Sequence, residues 1–184
     1  MNPAFRTGQR ICFRPLEIEH ASLFQGWVND PENHQFLKRY HPINGLAEKQ
    51  WLEKAHESKE HHHFEIWLRK PEQLIGMISL RQELHRSADL GILIGEREYQ
   101  GQGYGAEAIR LILEYGFATM GLHRIGLSVY ENNPRGIRCY EKCGFRREGA
   151  RREARWWAGR WWTIFDYAIL EHEWHTLSPG NAAK

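Results

Sequence analysis

At 184 residues the chain is long enough for one well-cored domain and short for two. An apolar fraction of 41% beside 26% charged residues excludes disorder as the starting expectation. A net charge of +2 with no dense basic block argues against nucleic acid as the main partner.

Met1 to Arg10 lacks an apolar core and no segment approaches roughly 18 apolar residues, so neither a secretory signal nor a membrane span is expected. Ile11 to Leu16 reads as a first strand. Glu17 to Asn29 carries Ile18, Ala21, Leu23, Phe24, Trp27 and Val28 at helical spacing, and Asp30-Pro31 closes it. Gly45 to Glu60 reads as a second helix. His63 to Arg69, Leu74 to Leu80 and Ala88 to Ile94 read as an antiparallel meander turning at Lys70-Pro71-Glu72-Gln73. A helix is expected from Gly105 to about Met120, where Ile109, Ile112, Leu113, Gly116 and Phe117 form one stripe and Gly121 supplies a stop. His123 to Tyr130 alternates as a strand, and Asn133-Pro134 opens a short helix that runs to Gly144. Phe145 to about Arg152 and Trp161 to Ile169 read as two final strands around Ala158-Gly159-Arg160. The order β-α-α-β-β-β-α-β-α-β-β predicts an α+β fold on a mixed sheet. Residues 1–184 are expected to form one domain, with about 1–9 and 176–184 as flexible ends.

Cys12, Cys139 and Cys143 are odd in number and show no zinc spacing, and a Cys139–Cys143 bridge would be strained on a helix. A reducing cytoplasm is the expected setting.

The segment Gln100-Gly101-Gln102-Gly103-Tyr104-Gly105 links a strand to a helix. Glycines let a ligand approach the backbone, and successive N–H groups at a helix start converge on an anion such as a pyrophosphate. An ordinary strand-to-helix turn accounts for the pattern equally well. No Lys-Ser/Thr follows, so it is not a P-loop, and the third-glycine spacing of a dinucleotide fingerprint is missing.

About thirty residues on, a second block runs from Val129 through Asn133-Pro134-Arg135-Gly136-Ile137 and Tyr140-Glu141-Lys142-Cys143-Gly144-Phe145. Together with Arg14-Pro15-Leu16, the glycine turn, Tyr115-Gly116-Phe117 and Gly159-Arg160, it resembles the GNAT superfamily of N-acetyltransferases. The similar branch includes the ribosomal-protein N-terminal and spermidine acetyltransferases. The resemblance implies the GNAT fold, with the fourth and fifth strands, Ala88–Ile94 and His123–Tyr130, splayed around acetyl-CoA. It implies an acetyl-CoA co-substrate whose pyrophosphate sits on Gln100, Gly101, Gln102, Gly103, Tyr104 and Gly105. Main-chain groups of Ile92, Leu93 and Ile94 would bond the pantetheine, and Tyr140 would act as general acid to the leaving thiolate. Asn133 matches a pantetheine contact in the family and is also a helix cap; both roles stay open. The acceptor would be a primary amine, on a small molecule or a protein N-terminus. His123, Glu83, His85 and Glu32 are candidate bases by composition alone, and none is selected.

Spermidine enzymes are expected to use carboxylates for a polyamine, but Lys38-Arg39 stands where an acidic pair would serve. A cationic wall suits an acceptor with a negative group beside its amine. Trp156-Trp157 and Trp161-Trp162 suit cross-strand pairs, a homodimer interface or a ligand contact, with one Trp of each pair facing inward. His61-His62-His63 and His172/His175 are expected to be surface features rather than metal ligands. The arginines 146, 147, 151, 152 and 155 are expected on a solvated hairpin face. Two other function classes fit less of the chain: a non-catalytic coenzyme A or phosphate-binding module, and an RNA- or ribosome-associated protein.

Overall fold

The computed structural model describes residues 4–177. The parts of the expected flexible ends at 1–3 and 178–184 lie outside the described residues. Strand β1 (Arg6–Thr7) pairs with β2 (Ile11–Pro15), so the expected loose N-terminus is tied to the sheet there. The chain continues through a 3-10 turn at Ile18–His20, α1 (Ala21–Asn29), α2 (Pro31–His34) and α3 (Gly45–Glu57). The meander is β3 (His61–Arg69), β4 (Glu72–Glu83) and β5 (Ser87–Ile94). Then follow α4 (Tyr104–Glu114), β6 (Arg124–Tyr130), α5 (Pro134–Lys142), β7 (Arg146–Trp157), β8 (Arg160–Leu170) and α6 (Glu171–Leu177).

One eight-stranded sheet has the order β1-β2-β3-β4-β5-β6-β8-β7. Every pairing is antiparallel except β5 with β6, which is parallel. A parallel neighbour requires a crossover, and α4 supplies it. Ala108, Ile109, Ile112 and Leu113 pack this helix on one face against Ile75, Ile78, Leu80 and Ile125. Burying each large aliphatic side chain there contributes about 2 kcal/mol. On the opposite face Phe24, Trp27 and Leu52, from α1 and α3, cover Leu74, with Trp67, Met77 and Leu93 packed against them. Among the described residues no helix is long and apolar enough to cross a membrane.

Several expected boundaries change for local reasons. Asp30-Pro31 closes α1 as expected but also opens a helix that was not: the Asp30 carboxylate accepts from the Glu32 N–H at 3.0 Å and Pro31 occupies the first turn, so α2 starts at once. The helix expected to reach Met120 is α-helical only to Glu114, and Tyr115–Thr119 forms a π-turn closed by Met120 N–H to the Tyr115 carbonyl at 3.0 Å. The last two strands run longer than expected and meet in a turn at Ala158 and Gly159, both with positive φ, the geometry of a tight hairpin. The histidines 61–63 are not a solvated strand start. They are half-buried in β3, where His63 packs on Trp51 and His62 on Tyr115, and desolvation lowers the His63 pKa to about 4.

Candidate active site

β5 and β6 pair only through Ser87–Arg124, Ala88–Ile125 and Asp89–Gly126. Beyond that seam Leu90–Ile94 stays bonded to β4, and Leu127–Tyr130 to β8, while their facing edges part. A strand bonded on one side directs alternate N–H and C=O groups to its other edge, so the gap is lined by backbone donors and acceptors. A cavity of about 460 Å³ opens there. Ile92, Leu93 and Ile94 line one side, Ser128, Val129 and Tyr130 the other, and the glycine turn with α5 closes one end.

β5 is shaped by glycine at its partner. A Cβ on Gly76 would lie 2.2 Å from the Leu93 carbonyl oxygen, so only glycine lets β4 approach at this point. A Cβ on Gly95 would likewise enter the Trp27 ring.

At the closed end Gly101 and Gly103 have φ of +75° and +88°, a region that favours glycine. Gly103 is the residue before α4, and the first helical bond joins Glu107 N–H to its carbonyl. No acceptor among the described residues takes the N–H groups of Gly101, Gln102, Gly103, Tyr104, Gly105 or Ala106. These free donors lie at the positive end of the helix dipole, which suits an anion. Gly101, Gly103 and Gly105 line the cavity, whereas the side chains of Gln102 and Tyr104 do not. Gln102 Nε2 bonds the Glu98 carbonyl, and Tyr104 lies under the Arg10 guanidinium at 4.3 Å. Gln100 lines the cavity but its amide is tied down, donating to the Ile94 carbonyl at 2.7 Å and to Asn33 Oδ1 at 2.9 Å. It braces the turn against the end of β5.

Asn33 is a residue that sequence reasoning missed. It is 2% exposed, lines the cavity and joins α2 to the turn through Gly95 and Gln100. A lone Asn in Pro31-Glu32-Asn33-His34 carries no signal of this. Arg135, Arg138 and Lys142 were missed as well, and here a signal existed. Their spacing of three and four places them on one face of α5, and all three line the cavity. With the free N–H groups they form a donor set of the right charge for the phosphates of coenzyme A, and the parted strand edges fit its amide-bearing arm.

Tyr140 also lines the cavity, held edge-on to Phe145. Its hydroxyl has no hydrogen-bond partner among the described residues. Burial, followed by the thiols of Cys139 and Cys143, pushes its pKa well above the usual tyrosine range, so the phenol stays protonated at neutral pH. Asn133 Oδ1 accepts from Gly136 N–H at 2.9 Å, capping α5, and its side chain also lines the cavity. The oxygen is used by the cap and the amide nitrogen is left over, so capping and ligand contact do not compete.

The candidate bases lie elsewhere. Glu83 and His85 sit at the β4–β5 turn, His123 faces Glu171 at 3.6 Å, and Glu32 is in α2; none lines the cavity. Nor do any of the four hairpin tryptophans. Trp156 and Trp161 are directly opposed, 51% and 54% exposed, with ring centroids 5.2 Å apart. Trp157 and Trp162 turn inward, as alternation requires. The expectation of a solvated arginine face fails at Arg155, which is 2% exposed, with its guanidinium over the Tyr130 ring, beside Trp157 and bonded to the Gln35 and Leu37 carbonyls.

Residues 10–146 match the acetyltransferase (GNAT) domain family. The uncharacterized N-acetyltransferase YnaD of Bacillus subtilis (strain 168) is 37% identical over 172 residues, covering 92% of this chain and 98% of that protein. The spermidine N(1)-acetyltransferase of Escherichia coli (strain K12) is 26% identical over 174 residues, covering 89% and 88%. Among solved structures, spermidine N-acetyltransferase from Vibrio cholerae in complex with CoA and spermine superposes with a TM-score of 0.81 at 27% identity, covering 91% of this chain and 99% of that one.

Proposed function

From the premise that this chain belongs to the GNAT acetyltransferase family, we propose that its N-acetyltransferase activity runs by direct attack of a primary amine, with Tyr140 as the general acid. Acetyl-CoA, the acetyl donor of the family, supplies an activated thioester. Gly101, Gly103 and Gly105 offer N–H groups to its pyrophosphate, joined by those of Gln102 and Tyr104, whose side chains are occupied elsewhere, while Gln100, its own N–H taken by the Arg97 carbonyl, braces the turn through its side chain. Backbone groups of Ile92, Leu93 and Ile94 hold the pantetheine as an added strand, and an N–H among them faces the carbonyl oxygen that gains charge during attack. The Asn133 amide nitrogen steadies the same arm.

The new C–N bond forms as the C–S bond breaks. The Tyr140 hydroxyl gives its proton to the departing thiolate, and the tyrosinate recovers one from solvent. Among the described residues no Asp, Glu or His lines the cavity, so the proton lost by the amine passes to water. The observation that carries this reading is the unpartnered, neutral Tyr140 hydroxyl beside two parted strand edges.

Tyr140→Phe is expected to lower kcat by about 10²-fold while acetyl-CoA affinity stays within about twofold. Stopped-assay thiol release and calorimetry measure the two quantities, and unchanged kcat would sink the assignment. Because the Tyr140 pKa is raised, the acid form persists as pH rises, and activity is expected to climb with amine deprotonation with no fall below pH ~10.

The acceptor belongs to a small molecule or a protein N-terminus. The free thiols Cys12, Cys139 and Cys143 support a cytoplasmic setting. Residues 1–184 are read as one domain, supported by the single sheet that runs through both halves of the described chain. A homodimer would form at the exposed Trp156–Trp161 tip.

A further inference from the structure

We propose that Arg155 is the specificity-determining residue of the acceptor pocket, favouring amines with a neighbouring carboxylate over polycationic amines. The proposal rests on the acetyl-transfer reading above and names the acceptor class for the same site.

Arg155 is a fully buried cation, and no carboxylate lies within ion-pair distance of it among the described residues. Its Nη1 donates to the Gln35 carbonyl at 2.6 Å and its Nη2 reaches the Leu37 carbonyl at 3.4 Å. Its guanidinium carbon stands 3.7 Å over the Tyr130 ring and 4.8 Å from the Trp157 ring. One side chain therefore fastens the loop after α2 to the end of β6 and to the last hairpin. Phe36, Leu37 and Tyr130, the residues it gathers, line the cavity.

Carbonyl dipoles and aromatic faces stabilise a guanidinium without cancelling its charge. Desolvation lowers its pKa, but an arginine stays protonated at any working pH. A full positive charge thus sits behind Tyr130, a residue of the cavity wall. The neighbouring acids are already engaged. Asp166 accepts from Ser128 and from two Arg151 nitrogens, and Lys38 adds positive potential beside it. Glu131 accepts from the Thr163 N–H. Arg135, Arg138 and Lys142 add further positive charge to the cavity wall. Among the described residues no acidic side chain lines the cavity to receive the second or third ammonium of a polyamine. A buried charge is poorly screened, so it acts on whatever enters beside Tyr130.

The test uses the purified full chain, with aspartyl-alanine and spermidine as acceptor probes. The wild type is expected to show kcat/KM at least tenfold higher on aspartyl-alanine, expressed mainly in KM. Arg155→Met is expected to collapse that ratio at least tenfold while the acetyl-CoA Kd stays within twofold. Arg155→Lys keeps the charge but cannot hold both carbonyls, so the ratio should persist while KM rises for both probes. A wild-type preference for spermidine overturns the proposal, as does an equal loss on both probes in Arg155→Met. If Arg155→Met fails to fold, the wild-type ratio and Arg155→Lys decide. Calorimetric binding of each probe to the CoA-loaded enzyme reads selectivity without turnover: equal binding overturns the proposal, whereas selective binding without acetyl transfer upholds it and overturns the catalytic reading alone.

Discussion

Two stretches of the cavity wall are built from different kinds of atoms. At the glycine turn the ligand-facing groups are backbone N–H donors, left free because Gly101 and Gly103 adopt positive φ and because a helix begins there. Beside Arg155 the wall consists of side chains, Phe36 and Leu37 from the loop after α2 and Tyr130 from β6, gathered by that arginine. A backbone cradle depends on a few positions where any Cβ is costly. A side-chain wall can be rebuilt residue by residue, and so can change its acceptor while keeping its cofactor.

That contrast makes substitutions at the cradle expensive and those at the outer hairpin cheap. The largest effect is expected at Gly76, which does not itself line the cavity. In Gly76→Ala the new methyl must move the Leu93 carbonyl from 2.2 Å to ordinary contact, dragging the strand edge that orients the thioester. A fall in kcat of about 10²-fold, with a loss of about 1–3 kcal/mol in stability, is expected from rates and denaturant unfolding. Normal kcat in a folded Gly76→Ala would break the link between β5 backbone and catalysis. Gly103→Ala should weaken acetyl-CoA binding by about tenfold, the cost of a left-handed alanine, without changing the acceptor preference. Calorimetry and the probe ratio check both halves of that statement. The smallest effect belongs to Trp156→Ala. Its ring packs on Trp161 outside the cavity, so kcat/KM should stay within about twofold while stability drops by about 0.5–1 kcal/mol. A larger kinetic loss would extend the acceptor site to the hairpin tip.

The same contrast explains what was legible in the sequence. Positive φ and helix starts leave glycine and Asn-Pro signatures, so the turn, the start of α4 to within a residue and the Asn133 cap could be read from local patterns. The splay of β5 from β6 came from the family resemblance, since no local pattern marks where two strands cease to pair. Arg155 was hidden among five arginines, because it shares a face of β7 with the exposed Arg151 and is buried by the loop after α2, far away in the sequence, which no pattern within β7 announces. α2 was lost because Asp-Pro ends one helix with the same signals that begin another.

The seam between β5 and β6 carries a consequence for folding. Three residue pairs are all that join the five strands of one half-sheet to the three of the other by backbone bonding. Coenzyme A lying in the gap would replace the missing rungs, so the protein is completed by its own co-substrate. By mass action, ligand at a hundred times its Kd adds about 2.7 kcal/mol to the folded state. Amides of Leu90 to Ile94 and Leu127 to Tyr130 are where that gain should register as slowed hydrogen exchange, while the far edge at β2 and β3 stays as it was.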